Sequence, residues 1–185
     1  DEAATNRYFA LIDSVADTID KCHDAKQKAA LLLIRAVAYS DTQNNEAAID
    51  DLTAVVQLDS TQTLAYWQRA VCQARLNAFN ASQGTDISMK TANVLSDLSE
   101  AIENNPSAIL YYNRGNVYVQ RKDYLHAIED YSKAIEMDSH LAEAYYNRGI
   151  ARLALKQQAQ AVADLSKAGE LGLYAAYSII KQNRK

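Results

Sequence analysis

From Glu2 to Ile19 the apolar residues fall at Tyr8, Leu11, Ile12, Val15 and Ile19, the three-and-four spacing that puts side chains on one face of a helix. This spacing predicts a leading helix that covers whatever follows it. A polar turn around Asp20 to Asp24 comes next, and then a longer pattern takes over, written most plainly between Ala108 and Gly172. Tyr111-Tyr112-Asn113-Arg114-Gly115 returns 34 positions later as Tyr145-Tyr146-Asn147-Arg148-Gly149, and Asp130-Tyr131-Ser132-Lys133-Ala134 returns at the same interval as Asp164-Leu165-Ser166-Lys167-Ala168. A fixed period of that order marks an array in which each unit is one supersecondary element, here a helical hairpin. At the far end Leu173, Tyr174, Tyr177, Ile179 and Ile180 precede the basic Lys181, Arg184 and Lys185. This reads as a capping helix whose cations complement its C-terminal dipole.

The spacing inside the unit resembles the tetratricopeptide repeat (TPR), and the wording of the motifs is similar to bacterial members of that family. Its pattern has an aromatic at position 4, Gly at 8, Tyr at 11, Ala at 20, an aromatic at 24 and Ala at 27. Residues 108–141 match with Tyr111, Gly115, Tyr118, Ala127, Tyr131 and Ala134, and residues 142–172 with Tyr145, Gly149, Ala161, Leu165 and Ala168. Upstream, Leu32, Ala36, Tyr39, Ala48, Leu52 and Val55 give a unit over 29–62; Tyr66, Ala70, Val94, Leu98, Ala101 and Pro106 give another over 63–107. The resemblance implies an all-α fold: a right-handed superhelical solenoid of four hairpins in a single domain, 1–185. Residues 1–24 are then the leading helix and 173–185 the cap. The small residues at 8, 20 and 27 let neighbouring helices approach, and the large ones at 4, 11 and 24 fill the space between them.

The second unit departs from the period. Tyr66 to Val94 covers 28 positions where Tyr111 to Ala127 covers 16, so 12 residues are inserted between its helices, at about 77–90. The turn formers in that stretch predict a first helix running to about Ala81, a turn at Gly84 and a second helix from about Ser88. Insertions of this kind map to loops on one face of an array, often a binding face, and a tolerated surface extension is the alternative. Asn80-Ala81-Ser82 also fits a glycosylation sequon, a tripeptide common by chance.

Position 7 is Arg in all four units (Arg35, Arg69, Arg114, Arg148) and position 23 is Asp in all four (Asp51, Asp97, Asp130, Asp164). A structural ladder of Arg–Asp pairs is expected. The first reading runs it across the joints, Asp51 to Arg69, Asp97 to Arg114 and Asp130 to Arg148; pairing inside each hairpin is the alternative. Partly buried pairs of this kind set register more than they add stability.

Composition narrows the chemistry. The net charge of −4 with no basic run gives no electrostatic footprint for nucleic acid. The longest apolar run, from Ala29 through Ala38, is interrupted by Arg35 and is too short to span a bilayer. His23, His126 and His140 share no metal-ligand spacing, Cys22 and Cys72 make no Cys-x-x-Cys, and the five glycines form no phosphate loop. No metal, cofactor or catalytic group is expected, and the chain is read as no enzyme. It begins at Asp1 without Met, which signal removal would explain; an exported, periplasmic location is the weak expectation and a cytoplasmic one the alternative.

In the family the first helix of each hairpin lines the concave side of the superhelix, where partner segments lie. The matching positions give a groove of Leu33, Val37, Trp67, Val71, Tyr112, Asn113, Asn116, Tyr146, Asn147 and Ile150. Rings supply contact area at low entropy cost, and carboxamides bond a peptide backbone on both donor and acceptor sides. Trp67 is the strongest single anchor. One subfamily clamps the C-terminal carboxylate of heat-shock chaperones with Lys at positions 5 and 2; here those positions hold no Lys, so that clamp is not expected. The expected function is a non-enzymatic scaffold binding a protein or peptide in this groove. A structural module that self-assembles as a homo-oligomer, or within a larger polypeptide, is the alternative.

Overall fold

A computed structural model describes residues 2–83 and 90–183, and every element among them is a helix. In chain order these are α1 (Glu2–Lys21), α2 (Ala25–Asp41), α3 (Asn45–Leu58), α4 (Thr63–Ser82), α5 (Lys90–Asn104), α6 (Ala108–Gln120), α7 (Tyr124–Met137), α8 (Ala142–Ala154), α9 (Gln158–Glu170) and α10 (Ala175–Gln182). The chain divides into two units, Asp1–Asn105 and Pro106–Lys185. The first holds α1 and the hairpins α2–α3 and α4–α5; the second holds the hairpins α6–α7 and α8–α9 and then α10.

The turns explain why each chain segment doubles back. Gln43, Lys122 and Lys156 sit in the left-handed region, with φ of 62°, 60° and 60°. Directly after each, an amide reaches back to the last turn of the helix: Asn44 to the Tyr39 carbonyl, Asp123 to Tyr118 and Gln157 to Arg152, at 2.8, 2.9 and 2.9 Å. That bond pattern satisfies orphan carbonyls and ends the first helix abruptly. The second helix then starts on a side-chain cap in two of the three, where Asn44 and Asp123 accept from the amides of Ala47 and His126.

In the first unit the core gathers Ile19 of α1, Leu32 and Ala36 of α2, Ala48, Leu52 and Val55 of α3, and Ala65 and Cys72 of α4. The leading helix contributes Ile12, Val15 and Ile19 to the packed side. Leu11, expected on the same face, is exposed, because only the 12, 15, 19 line of the stripe points at α2. In the second unit the core at the chain end joins Leu165 and Ala168 of α9 to Ala176 and Ile180 of α10. α4 runs on to Ser82 as the insertion predicted; the turn expected at Gly84 and the helix start expected near Ser88 lie outside the described residues.

Small-against-large packing is close in the hairpin α6–α7. Tyr131 is almost wholly buried, and a methyl group built on Gly115 would meet its ring carbon Cε1 at 2.7 Å. The equivalent positions in the first unit carry Ala against Leu, Ala36 with Leu52 and Ala70 with Leu98, while α8–α9 sets Gly149 against Leu165. Gly115→Ala should therefore overpack and lose about 1–3 kcal/mol in urea denaturation. Combined with Tyr131→Leu, which reproduces the Ala–Leu pairing, it should cost clearly less than the two single losses added together; full additivity would refute the account.

Candidate functional site

The four arginines at position 7 are each held by a two-pronged bond to an aspartate of the same hairpin. Arg35 grips Asp51 through Nε and Nη2 at 2.8 and 2.7 Å. Arg69 grips Asp97 at 2.8 and 2.6 Å, Arg114 grips Asp130 at 2.8 and 2.8 Å, and Arg148 grips Asp164 at 2.9 and 2.7 Å. The pairing expected across the joints is thus replaced by pairing within each hairpin. The reason is geometric: Arg and Asp lie 16 residues apart in three hairpins, with Gln43, Lys122 or Lys156 at the midpoint. Two positions equidistant from the turn stand at the same height on antiparallel helices. In α4–α5 the separation is 28 and the midpoint is Gln83, at the end of α4, and the pair is made all the same. The carboxylates are buried and each guanidinium also lies over a tyrosine ring of its own helix, Tyr39, Tyr66, Tyr111 or Tyr145, at 5.6 to 5.8 Å. The adjoining aspartate holds Arg35, Arg69 and Arg114 above the ordinary arginine range, chiefly through the hydrogen bond.

With the hairpins fixed this way, the first helices present positions 5, 6 and 9 on one side. In the first unit α2 and α4 carry Leu33, Val37, Trp67 and Val71, all half-buried, beside the more exposed Ile34 and Leu64. Trp67 turns its indole Nε1 inward, where it is covered and has no acceptor. In the second unit α6 and α8 carry Tyr112, Asn113, Asn116, Tyr146, Asn147 and Ile150, again half-buried. Four polar groups meet there. Tyr131 donates its hydroxyl to Asn116 Oδ1 at 2.7 Å, and Asn147 Nδ2 donates to the same oxygen at 2.9 Å and toward the Tyr112 hydroxyl at 3.4 Å. Burial pushes the Tyr131 phenol up, so it stays a donor. The carboxamides expected to meet a peptide are therefore first bonded to each other, leaving Asn116 Nδ2 and Asn147 Oδ1 on the open side. Sequence reasoning missed Tyr131 as part of this face. It had been placed as core filler, and its phenol is the one clue that it needed a polar partner.

The insertion also leaves its mark on the surface of the first unit. The overhanging end of α4 faces the turn after α2, and a cleft of about 760 Å³ opens between Arg75, Leu76 and Phe79 on one wall and Asp41 and Glu46 on the other. Arg75 spans part of it, donating to the Ser40 hydroxyl at 3.0 Å.

Chemistry beyond binding is sparse. Among the described residues no group of three or more His, Cys, Asp or Glu is placed to hold a metal. No described helix is long and apolar enough to cross a membrane. Both cysteines are free thiols. His126 is tied at Nδ1 to Asp123 at 2.7 Å and stacks on Tyr118.

Comparison with known proteins places these elements. A model of the TPR repeat matches residues 115–156. Tetratricopeptide repeat protein 13 of Homo sapiens is 30% identical over 111 residues, which are 57% of this chain; the match spans 12% of that relative's length. Among solved structures, MamA superposes with a TM-score of 0.76 at 24% identity, covering 90% of this chain and 89% of that one. YrrB, a TPR protein with an unusual peptide-binding site, superposes with a TM-score of 0.70 at 16% identity over 94% and 87% of the two chains.

Two measurements test the electrostatics. Asp130→Ala leaves the Arg114 guanidinium partly buried without its carboxylate and should cost about 3–5 kcal/mol, whereas Lys133→Ala, which breaks the exposed Lys133–Glu136 pair, should leave stability nearly unchanged. His126 is raised from 6.5 by the hydrogen bond and then the charge of Asp123. Since the folded value is the higher one, its contribution is fully present below pH 6.5 and fades as pH rises through the folded value. An NMR titration should place His126 above its ordinary value in the wild type and closer to it in Asp123→Asn, which keeps the helix cap.

Proposed function

This chain is a tetratricopeptide-repeat protein, and from that premise we propose that it is a non-enzymatic scaffold that holds a peptide or protein segment along the faces of its first helices. Proteins built of these repeats are generally interaction scaffolds without catalytic activity. What carries the finer reading is the half-open face of α6 and α8. There one donor, Asn116 Nδ2, and one acceptor, Asn147 Oδ1, are left over from an internal network that fixes both carboxamides in place. An extended backbone offers the complementary acceptor and donor, and Tyr112 and Tyr146 flank them with ring surface. Prepositioned groups of this kind lose little entropy on binding. The face of α2 and α4 differs in kind. Leu33, Ile34, Val37, Leu64 and the exposed part of Trp67 suit apolar side chains, so the reading there is of a segment that anchors through side chains. YrrB, which shares the fold, has a peptide-binding site of its own, and this lends the reading support from outside the chain. No lysine stands at the positions that would clamp an acidic C-terminus, which disfavours that ligand class.

A second reading, self-association, rests on the exposed aromatic residues at the chain ends, Phe9 on α1 and Tyr177 on α10 with Tyr174 just before it. One experiment separates the two. Partners captured from the native host by the wild type should be lost with Asn147→Ala and with Trp67→Ala/Tyr112→Ala/Tyr146→Ala, while light scattering gives a concentration-independent monomer. A captured partner indifferent to every change, or an assembly broken only by Phe9→Ser or Tyr177→Ser, would overturn the groove reading.

A further inference from the structure

Each hairpin arginine spends Nε and Nη2 on its own aspartate, and this leaves Nη1. In both places where Nη1 has a described partner in the hairpin before, that partner is a hydroxyl. Arg69 Nη1 donates to Thr53 Oγ1 of α3 at 3.1 Å, and Arg148 Nη1 donates to Ser132 Oγ of α7 at 2.9 Å. The two contacts lie in different units, yet both span 16 residues and both hydroxyls are prepared in the same way. Thr53 donates its own hydrogen to the Ile49 carbonyl at 2.7 Å and Ser132 donates to the Ile128 carbonyl at 2.7 Å. With the hydrogen directed back along the helix, the oxygen turns its lone pairs to the cation.

We infer that Thr53 and Ser132 are positioning residues that fix how one hairpin docks on the hairpin before it, by accepting the third arm of the next arginine. The guanidinium becomes a three-way node: a charged fork closes its own hairpin, and one charge-assisted bond sets the register of the joint. The chain ends supply a contrast. The residue 16 before Arg35 is Ile19, buried at 4% exposure, where the neighbour is the lone helix α1 and not a hairpin. Ser166, the counterpart in the last hairpin, stands 16 residues before Gln182 of α10, an uncharged side chain. At the α6–α8 joint the hydroxyl has a second consequence. The Asn147–Asn116 bond crosses the same joint on its other side, so the Ser132–Arg148 bond holds one edge of the spacing on which that carboxamide pair depends. This inference stands whether or not a peptide lies on that face.

The test compares Ser132→Ala, Ser132→Thr and Ser166→Ala in the full chain by amide hydrogen exchange and by the NMR signal of the Asn147 side-chain amide. Ser132→Ala should speed exchange of the α8–α9 amides relative to those of α6–α7 by about fivefold, the scale of one net hydrogen bond, and should move the Asn147 signal. Ser132→Thr, which reproduces the group found at Thr53, should restore both, and Ser166→Ala should change neither. Thr53→Val against Thr53→Ser, read on α4–α5, repeats the comparison in the first unit and serves if Ser132→Ala does not fold. The inference is overturned if Ser132→Ala behaves like Ser166→Ala, if Thr fails to rescue, or if Thr53→Val and Thr53→Ser are alike.

Discussion

A guanidinium and a carboxylate placed at equal distances on either side of a turn tie the two helices of each hairpin together. Antiparallel helices bring two such positions level, and the fork of Nε and Nη2 fits the two carboxylate oxygens only when they are level. The pair therefore reports on the alignment of the hairpin as much as it strengthens it. Desolvation offsets much of the attraction, so specificity of register is the larger gain. The hairpin α4–α5 makes the constraint visible. Its first helix runs on to Ser82, well beyond the length of α6 or α8, and the two-pronged pair is still made.

Around these forks the packing follows from volume. Position 8 is a glycine against Tyr131 and Leu165 and an alanine against Leu52 and Leu98, so each hairpin sets a small residue against a large one. Tyr131 shows how core and surface share a residue. Its ring fills the space under α6, and its hydroxyl, which cannot be left unpaired in the interior, comes out on Asn116. The carboxamide of Asn116 is then oriented from below and that of Asn147 from the side. A surface whose polar groups are already held in one orientation is what a binding scaffold requires, since ordering them is not left to the ligand.

The two units carry different chemistry on their first helices. The helices α2 and α4 offer mainly aliphatic surface and one indole whose N–H faces inward; α6 and α8 offer phenols and amides. In each unit helix geometry repeats while side chains at the outward positions vary. The fold is common to many proteins, and function resides in the side chains set on it.

The period of 34, the helical spacing and the small residues at 8, 20 and 27 determined the hairpins from sequence alone, because such packing depends on local volume and on distances along one helix. The Arg and Asp signature was equally visible, but its partners were not. Sequence separation gives the height of a residue on a helix, not which neighbouring helix faces it, and only the assembled structure showed the aspartate inside the hairpin and the hydroxyl of Thr53 or Ser132 across the joint. The same holds for the face of α6 and α8. Its residues could be named from their positions, but the mutual bonding of Asn116, Asn147 and Tyr131 depends on three helices meeting, and no single stretch of chain contains that information.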